Sequence, residues 1–231
     1  LIRSVLADDN FCIFADSRPQ KVALLLMEEN LHQILSGVRE LSLKSGVKQL
    51  NLDQVSKHLG IDRKELSIYF NDEPSLIEKL LEYERDSFRS IFDENNFEET
   101  NAIEILMIVS QVMSSRFLEL TPSVTHDLKA LYPEVYRYHI EQRVDFIFGK
   151  MKINIEKGIR QGMYREDLSI ELLSRLYISR LLDLHNPDFF PPEKFSFRIL
   201  YDVMIDNFIR GIANEDGLRH YNKLRKTYKV C

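Results

Sequence analysis

Apolar residues recur along most of this chain at spacings of three and four, the period of helices with one buried face. Leu31, Ile34, Leu35, Val38 and Leu41 form the first such stripe, from residue 28 to a stop at Ser45-Gly46. Asn51 is placed to cap a short helix over Leu52 to Leu59, Gly60 supplies a turn, and Asp62 caps a second short helix from Arg63 to Phe70. Asp72 ahead of Pro74 opens a longer helix carrying Leu76, Ile77, Leu80, Leu81 and Phe88. Ala102 to Met113 is apolar on nearly every side, as a helix at the centre of a bundle is, and is expected to run to Leu120 before Thr121-Pro122 breaks it. From Pro133 onward, Ile140, Val144, Ile147, Phe148, Met151, Ile155 and Ile159 make one stripe, a rod of roughly 40 Å if unbroken to Gln161.

The last two helical stretches each carry two apolar faces. Asp167 is placed to cap the first, where Ile170, Leu173, Tyr177, Leu181 and Leu184 lie on one side and Leu172, Leu176 and Leu182 on another. In the second, Phe197, Leu200, Met204, Phe208 and Ile212 lie opposite Ile199, Val203 and Ile209. A helix apolar on two faces needs two neighbours. Pairing of these helices with their symmetry mates would give a four-helix homodimer interface through Leu172, Leu176, Phe197, Leu200, Met204 and Phe208; the alternative is a larger bundle that encloses both faces.

Residues 1–26 hold no sustained period, and Met27 opens MEENLHQIL as a natural start would. They read as an N-terminal extension that packs poorly, or as an arm for contact with DNA or a partner. The expected organisation is therefore an extension (1–26), a helix-turn-helix domain (27–73) and a larger helical domain (74–231), with helix 74–93 connecting the two.

Composition narrows the class. With 44% hydrophobic residues the chain has material for a core, and only 8 Gly and 7 Pro in 231 residues favour an all-α fold. No apolar run reaches the ~18 residues of a membrane span, so a cytoplasmic protein without membrane contact is expected. Cys12 and Cys231 give no disulfide framework, the six histidines show no paired metal spacing, and no Gly-rich loop is placed to hold phosphate. Neither metal, cofactor nor catalytic constellation is expected.

The stretch LDQVSKHLGIDRKELSIYF, Leu52 to Phe70, is more specific than its helicity. Ser56 is small where two short helices cross, Gly60 accepts a left-handed turn, and Val55, Leu59, Ile61, Leu66 and Tyr69 point inward. Lys57, Arg63, Lys64, Ser67 and Ile68 then face out, with Arg63 and Lys64 heading the second helix, where a recognition helix meets base edges and phosphates. Two core helices joined by a glycine turn would share this outline.

Residues 31 to 80 resemble the N-terminal domain of TetR-family transcriptional regulators through Ile34-Leu35, the Gly46 break, Val55-Ser56, Gly60-Ile61, Leu66, Tyr69-Phe70 and Leu76. GIRQGMYREDLSIELLSRLY (Gly158 to Tyr177) and FIRGIANEDGLRHY (Phe208 to Tyr221) are similar to stretches of that family's C-terminal domains. The resemblance implies duplex DNA as partner, contacted by Lys48, Asn51, Lys57, Arg63, Lys64, Ser67, Ile68 and Tyr69. It also implies a small apolar effector in a cavity lined by Phe88, Met107, Ser110, Met113, Phe117, His139, Arg143 and Phe146. A ligand-responsive homodimeric repressor is the leading expectation. Its alternative is a TetR-like binding or interaction protein with weak or lost DNA reading. Ser67 stands where the family usually has a tyrosine and Glu73 where it has a lysine. From residue 27 to 90 nine Lys and Arg face twelve acids, a balance of −3, so DNA binding is expected to be weak, salt-sensitive or confined to few sequences.

Overall fold

Two separate sets of buried side chains organise the molecule. The computed structural model describes residues 18–116, 122–184, 186–191 and 193–228. Among the described residues the elements are helical throughout: α1 Arg18–Ser45, a 3₁₀ turn Val47–Gln49, α2 Leu52–Leu59, α3 Arg63–Tyr69, α4 Glu73–Glu94, α5 Ala102–Arg116, α6 Pro122–Leu131, α7 Pro133–Arg160, α8 Ile170–Asp183, α9 Phe197–Ile212 and α10 Glu215–Tyr228.

The first buried set joins Ile34, Leu35 and Val38 of α1 to Val55 of α2, Leu66 of α3 and Leu76 to Leu81 of α4. The second joins Ile91 at the far end of α4 to α5 and α7 through α10. One 22-residue helix thus serves both cores, and its entry is fixed by a reciprocal cap in which the Asp72 carboxylate accepts from Ser75 N at 2.9 Å while Ser75 Oγ accepts from Asp72 N at 3.0 Å.

Several boundaries differ from the sequence reading. Helix α1 is described from Arg18, ahead of the residue 28 expected, and no helix breaker follows Pro19 along it. Leu25, Leu26 and Met27 on this extra length are exposed. Residues 1–17, with Cys12, lie outside the described residues, as do Cys231 and the expected continuation of α5 to Leu120. Helix α6 was not foreseen: Pro122 reads as a break, yet it starts a new helix whose Val124 and Leu128 reach the first core. Helix α8 is preceded by Ser169 instead of being capped by Asp167, which pairs with Arg165 at 3.8 Å.

Close packing locks the second domain. A Cβ at Gly158 on α7 would lie 2.1 Å from the ring of buried Tyr164, so only glycine fits. The Tyr164 hydroxyl donates to Asn154 at 3.1 Å, and Asn154 donates to the Ala102 carbonyl at 2.8 Å, tying α7 to α5. Asp206 of α9 holds α10 by accepting from Tyr221 at 2.9 Å and Arg225 at 3.0 Å. The basic tail residue Arg225 is thereby committed to the fold.

Candidate functional site

The helix-turn-helix is built by local chemistry. The Asn51 side chain accepts from Gln54 N at 2.9 Å, Gly60 adopts φ 67°, and the Asp62 carboxylate accepts from Lys64 N at 2.7 Å. Ser56 donates to the Ile61 carbonyl at 2.6 Å, satisfying a backbone acceptor where the chain reverses.

 Inward positions match the sequence reading: Val55 and Leu66 are fully buried, and Leu59, Ile61 and Tyr69 pack against them. Lys57, Lys64, Ser67 and Ile68 are exposed on one side, Ile68 with 64% of its surface in water. Two of the expected contacts are otherwise engaged. Arg63 is bonded to Asp53 of α2, and Lys48 pairs at 3.1 Å with Asp127 of α6. Ser67 donates to the Lys64 carbonyl at 2.7 Å.

Between α4, α5, α7, α8 and α9 lies a cavity of two lobes. The upper lobe, a narrow cleft of about 50 Å³, is walled by Ile105, Leu106, Val109, Ile147 and Met151, with Tyr177 and Tyr201 at one side. The lower, about 90 Å³, is walled by Leu81, Glu84, Arg85, Tyr136, His139 and the α6 residues Val124, Thr125 and Leu128. Phe88, Met113 and Arg143 line both. Of the residues expected to line a cavity, the structure brings together Phe88, Met113, His139 and Arg143. Met107 and Ser110 are buried but do not line either lobe, Phe146 packs edge-on against Phe88 and Phe92, and Phe117 lies outside the described residues.

Sequence reasoning missed Glu84, Lys150, Tyr177 and Tyr201. Polar residues within apolar stripes were the available signal, but they sit on four different helices and converge only in the fold. Glu84 Oε1 accepts from Arg39 of α1 at 2.6 Å, while its Oε2 is buried without a hydrogen bond. Burial raises the Glu84 carboxyl, with Arg39 opposing.

His139 Nδ1 lies 3.1 Å from an Arg85 nitrogen, which can only donate, so the ring is neutral with its proton on Nε2, toward the Leu81 carbonyl. Burial, with Arg143 and Arg85 adding repulsion, lowers its pKa from 6.5 to about 3. The folded state therefore binds fewer protons than the unfolded chain, and stability is complete above pH 6.5 and falls as the pH drops toward 3. Denaturant titrations should lose roughly 2 kcal/mol between pH 7 and pH 5, a loss that His139→Asn should largely remove. Equal slopes for the two proteins would refute the assignment.

On the outer side of α8 and α9, Leu172, Leu176, Leu182, Ile199 and Val203 are exposed. Met204 and Phe208, expected on a partner-facing side, instead point into the chain's own core at 7% and 8% exposure. Phe197 and Leu200 are half-buried against that core. Tyr201, Met204, Ile205, Phe208, Ile209 and Ile212 form one inward stripe, which leaves Ile199 and Val203 outside.

The chain superposes on a TetR transcription regulator from Haloarcula marismortui with a TM-score of 0.67 at 14% identity, covering 81% of this chain and 100% of the other. For Escherichia coli NemR in its reduced form the values are 0.63 and 14%, with coverage of 80% and 98%. For a putative transcriptional regulator from Saccharomonospora viridis in complex with choline they are 0.59 and 19%, with coverage of 81% and 100%. No protein-family model matches the sequence, and no curated protein matches it. At these identities it is the fold that is shared, and the fold is that of TetR-family transcriptional regulators. Among the described residues no helix is long and apolar enough to cross a membrane.

Proposed function

We propose that the protein is a ligand-responsive transcriptional regulator, a repressor that binds operator duplex as a homodimer and is released by a small, largely apolar effector. It is a binding protein and not an enzyme. The observation that carries this reading is the path of α4, which is capped by Asp72 beside the exposed face of α3 and forms the cavity wall at Phe88. A ligand that bears on Phe88 bears on a rigid element shared with the DNA-binding domain. Helix α6 supplies a second link, since Val124, Thr125 and Leu128 line the lower lobe while Asp127 holds Lys48. A ligand must favour one arrangement of these helices over another to change DNA affinity.

The exposed face of α8 and α9 supports the dimer, because water-exposed Leu172, Leu176, Ile199 and Val203 form a stripe suited to pairing with a copy of itself. Lys57, Lys64 and Ile68 on each protomer would then meet adjacent half-sites. Selection of genomic fragments by the purified protein tests the reading. Enrichment of a two-fold sequence, weakened by added salt, is expected. No enrichment at low salt would support the alternative, a TetR-like binding protein without effective DNA reading, for which the acidic Asp53, Asp62, Glu65 and Glu73 around α3 are the specific observation.

A further inference from the structure

The polar groups around the upper lobe are almost all donors. Arg143 is half-buried and lines both lobes; it makes no hydrogen bond or close ion pair among the described residues, although the Glu84 carboxylate lies near enough to favour its charge. Burial lowers its pKa, but an arginine remains charged. The Tyr177 and Tyr201 hydroxyls bond to each other at the side of the lobe, and one such bond uses one of their two protons, leaving the other to be given to a ligand. Lys150, also on the wall, sits over the Phe92 ring at 4.4 Å and has no carboxylate partner among the described residues. Asn154 is spent on Ala102 and Tyr164.

Charge gives the same sign. The residues lining the two lobes include three cations, Arg85, Arg143 and Lys150, and one carboxylate, Glu84, whose Oε1 is already held by Arg39. His139 is neutral at pH 7. A protein of net charge −5 therefore encloses a cavity of net positive charge. Glu84, already held by Arg39, balances the Arg143 charge only in part, and an anion that reaches the guanidinium adds short, charge-assisted hydrogen bonds.

We propose that the effector is an amphiphilic carboxylic acid, its carboxylate held by Arg143 and Tyr177 and its apolar body lying along Ile105, Leu106, Val109, Ile147 and Met151. The inference rests on reading this cavity as the effector site, and it narrows the apolar effector to an anionic class.

Calorimetric titration of the DNA-free protein with decanoate, decanol and decyltrimethylammonium separates the terms, since the three share a chain and differ in head. Decanoate should bind at least about ten-fold more tightly than decanol, and the ammonium compound weakest. Arg143→Met should abolish the preference for acid over alcohol while leaving decanol within about two-fold. Tyr177→Phe, which keeps the ring, should weaken decanoate several-fold and decanol little, and it provides the same comparison if Arg143→Met does not fold. Equal binding of acid and alcohol, tighter binding of the cation, or no binding of the acid overturns the proposal. Because DNA is absent from the titration, alcohol binding without acid preference would leave the cavity a ligand site and sink only the anionic class, whereas failure of the regulator reading appears separately in the fragment selection.

Discussion

Leu176→Asp combined with Val203→Asp should convert the protein to a folded monomer that has lost at least about a hundred-fold in duplex affinity, although its recognition helix is untouched. Both side chains have more than half their surface in water in the single chain, 54% each, so a carboxylate there costs the isolated fold little. In a two-fold dimer each would be placed, twice over, in an apolar interface without a partner, at several kcal/mol per site. Met204→Asp and Phe208→Asp should behave differently. Those side chains are buried within the chain's own core, so each change should cost about 3–5 kcal/mol of folding stability and reduce the helical signal before association is reached. Sedimentation and circular dichroism on the four proteins distinguish the outcomes. A wild-type monomer at micromolar concentration, or a double variant that still sediments as a dimer, would remove the interface from α8 and α9.

The second large effect has the opposite sign. Asp127→Asn should tighten duplex binding about three- to ten-fold, because it releases the Lys48 ammonium held at 3.1 Å to contact phosphate. Each protomer contributes one such lysine, so the slope of log affinity against log salt should steepen by about two. Lys48 keeps 64% of its side chain in water but Asp127 only 11%, so the thermal midpoint of the variant is to be measured beside its affinity. Weaker binding with an unchanged salt slope would show that the bridge holds the DNA-binding domain in its working pose instead of competing with DNA.

What was legible in the sequence was whatever is decided within a few residues. Asn51, Gly60, Asp62 and Asp72 declare their caps and turn locally, so α2, α3 and the start of α4 could be read directly. Helix α6 was hidden because a proline that ends one element and one that begins the next look alike in sequence. The outward face of α9 was misread for a different reason. Met204 and Val203 are both apolar, and only the packing of α9 against the rest of the domain decides which is enclosed. The cavity was half legible: Phe88, Met113, His139 and Arg143 lie on helices whose stripes were visible, whereas Tyr177 and Tyr201 meet across two helices separated by a long loop, a convergence that no local spacing records.

Phe88, Met113 and Arg143 also act as a partition, since each belongs to both lobes. The cavity is consequently a vessel with two compartments and one shared wall, and its occupancy is two quantities. The upper compartment adjoins α8 and α9, which carry the exposed apolar face, while the lower adjoins α6 and the α4 residues nearest the DNA-binding domain. Helices α4, α5, α7 and α8 line both lobes, while α9 belongs to the upper lobe and α6 to the lower. If the protein is regulated as proposed, a molecule in the upper lobe would bear on α9 and one in the lower lobe on α6, so tightness of binding and effect on DNA affinity would be separate properties of a molecule.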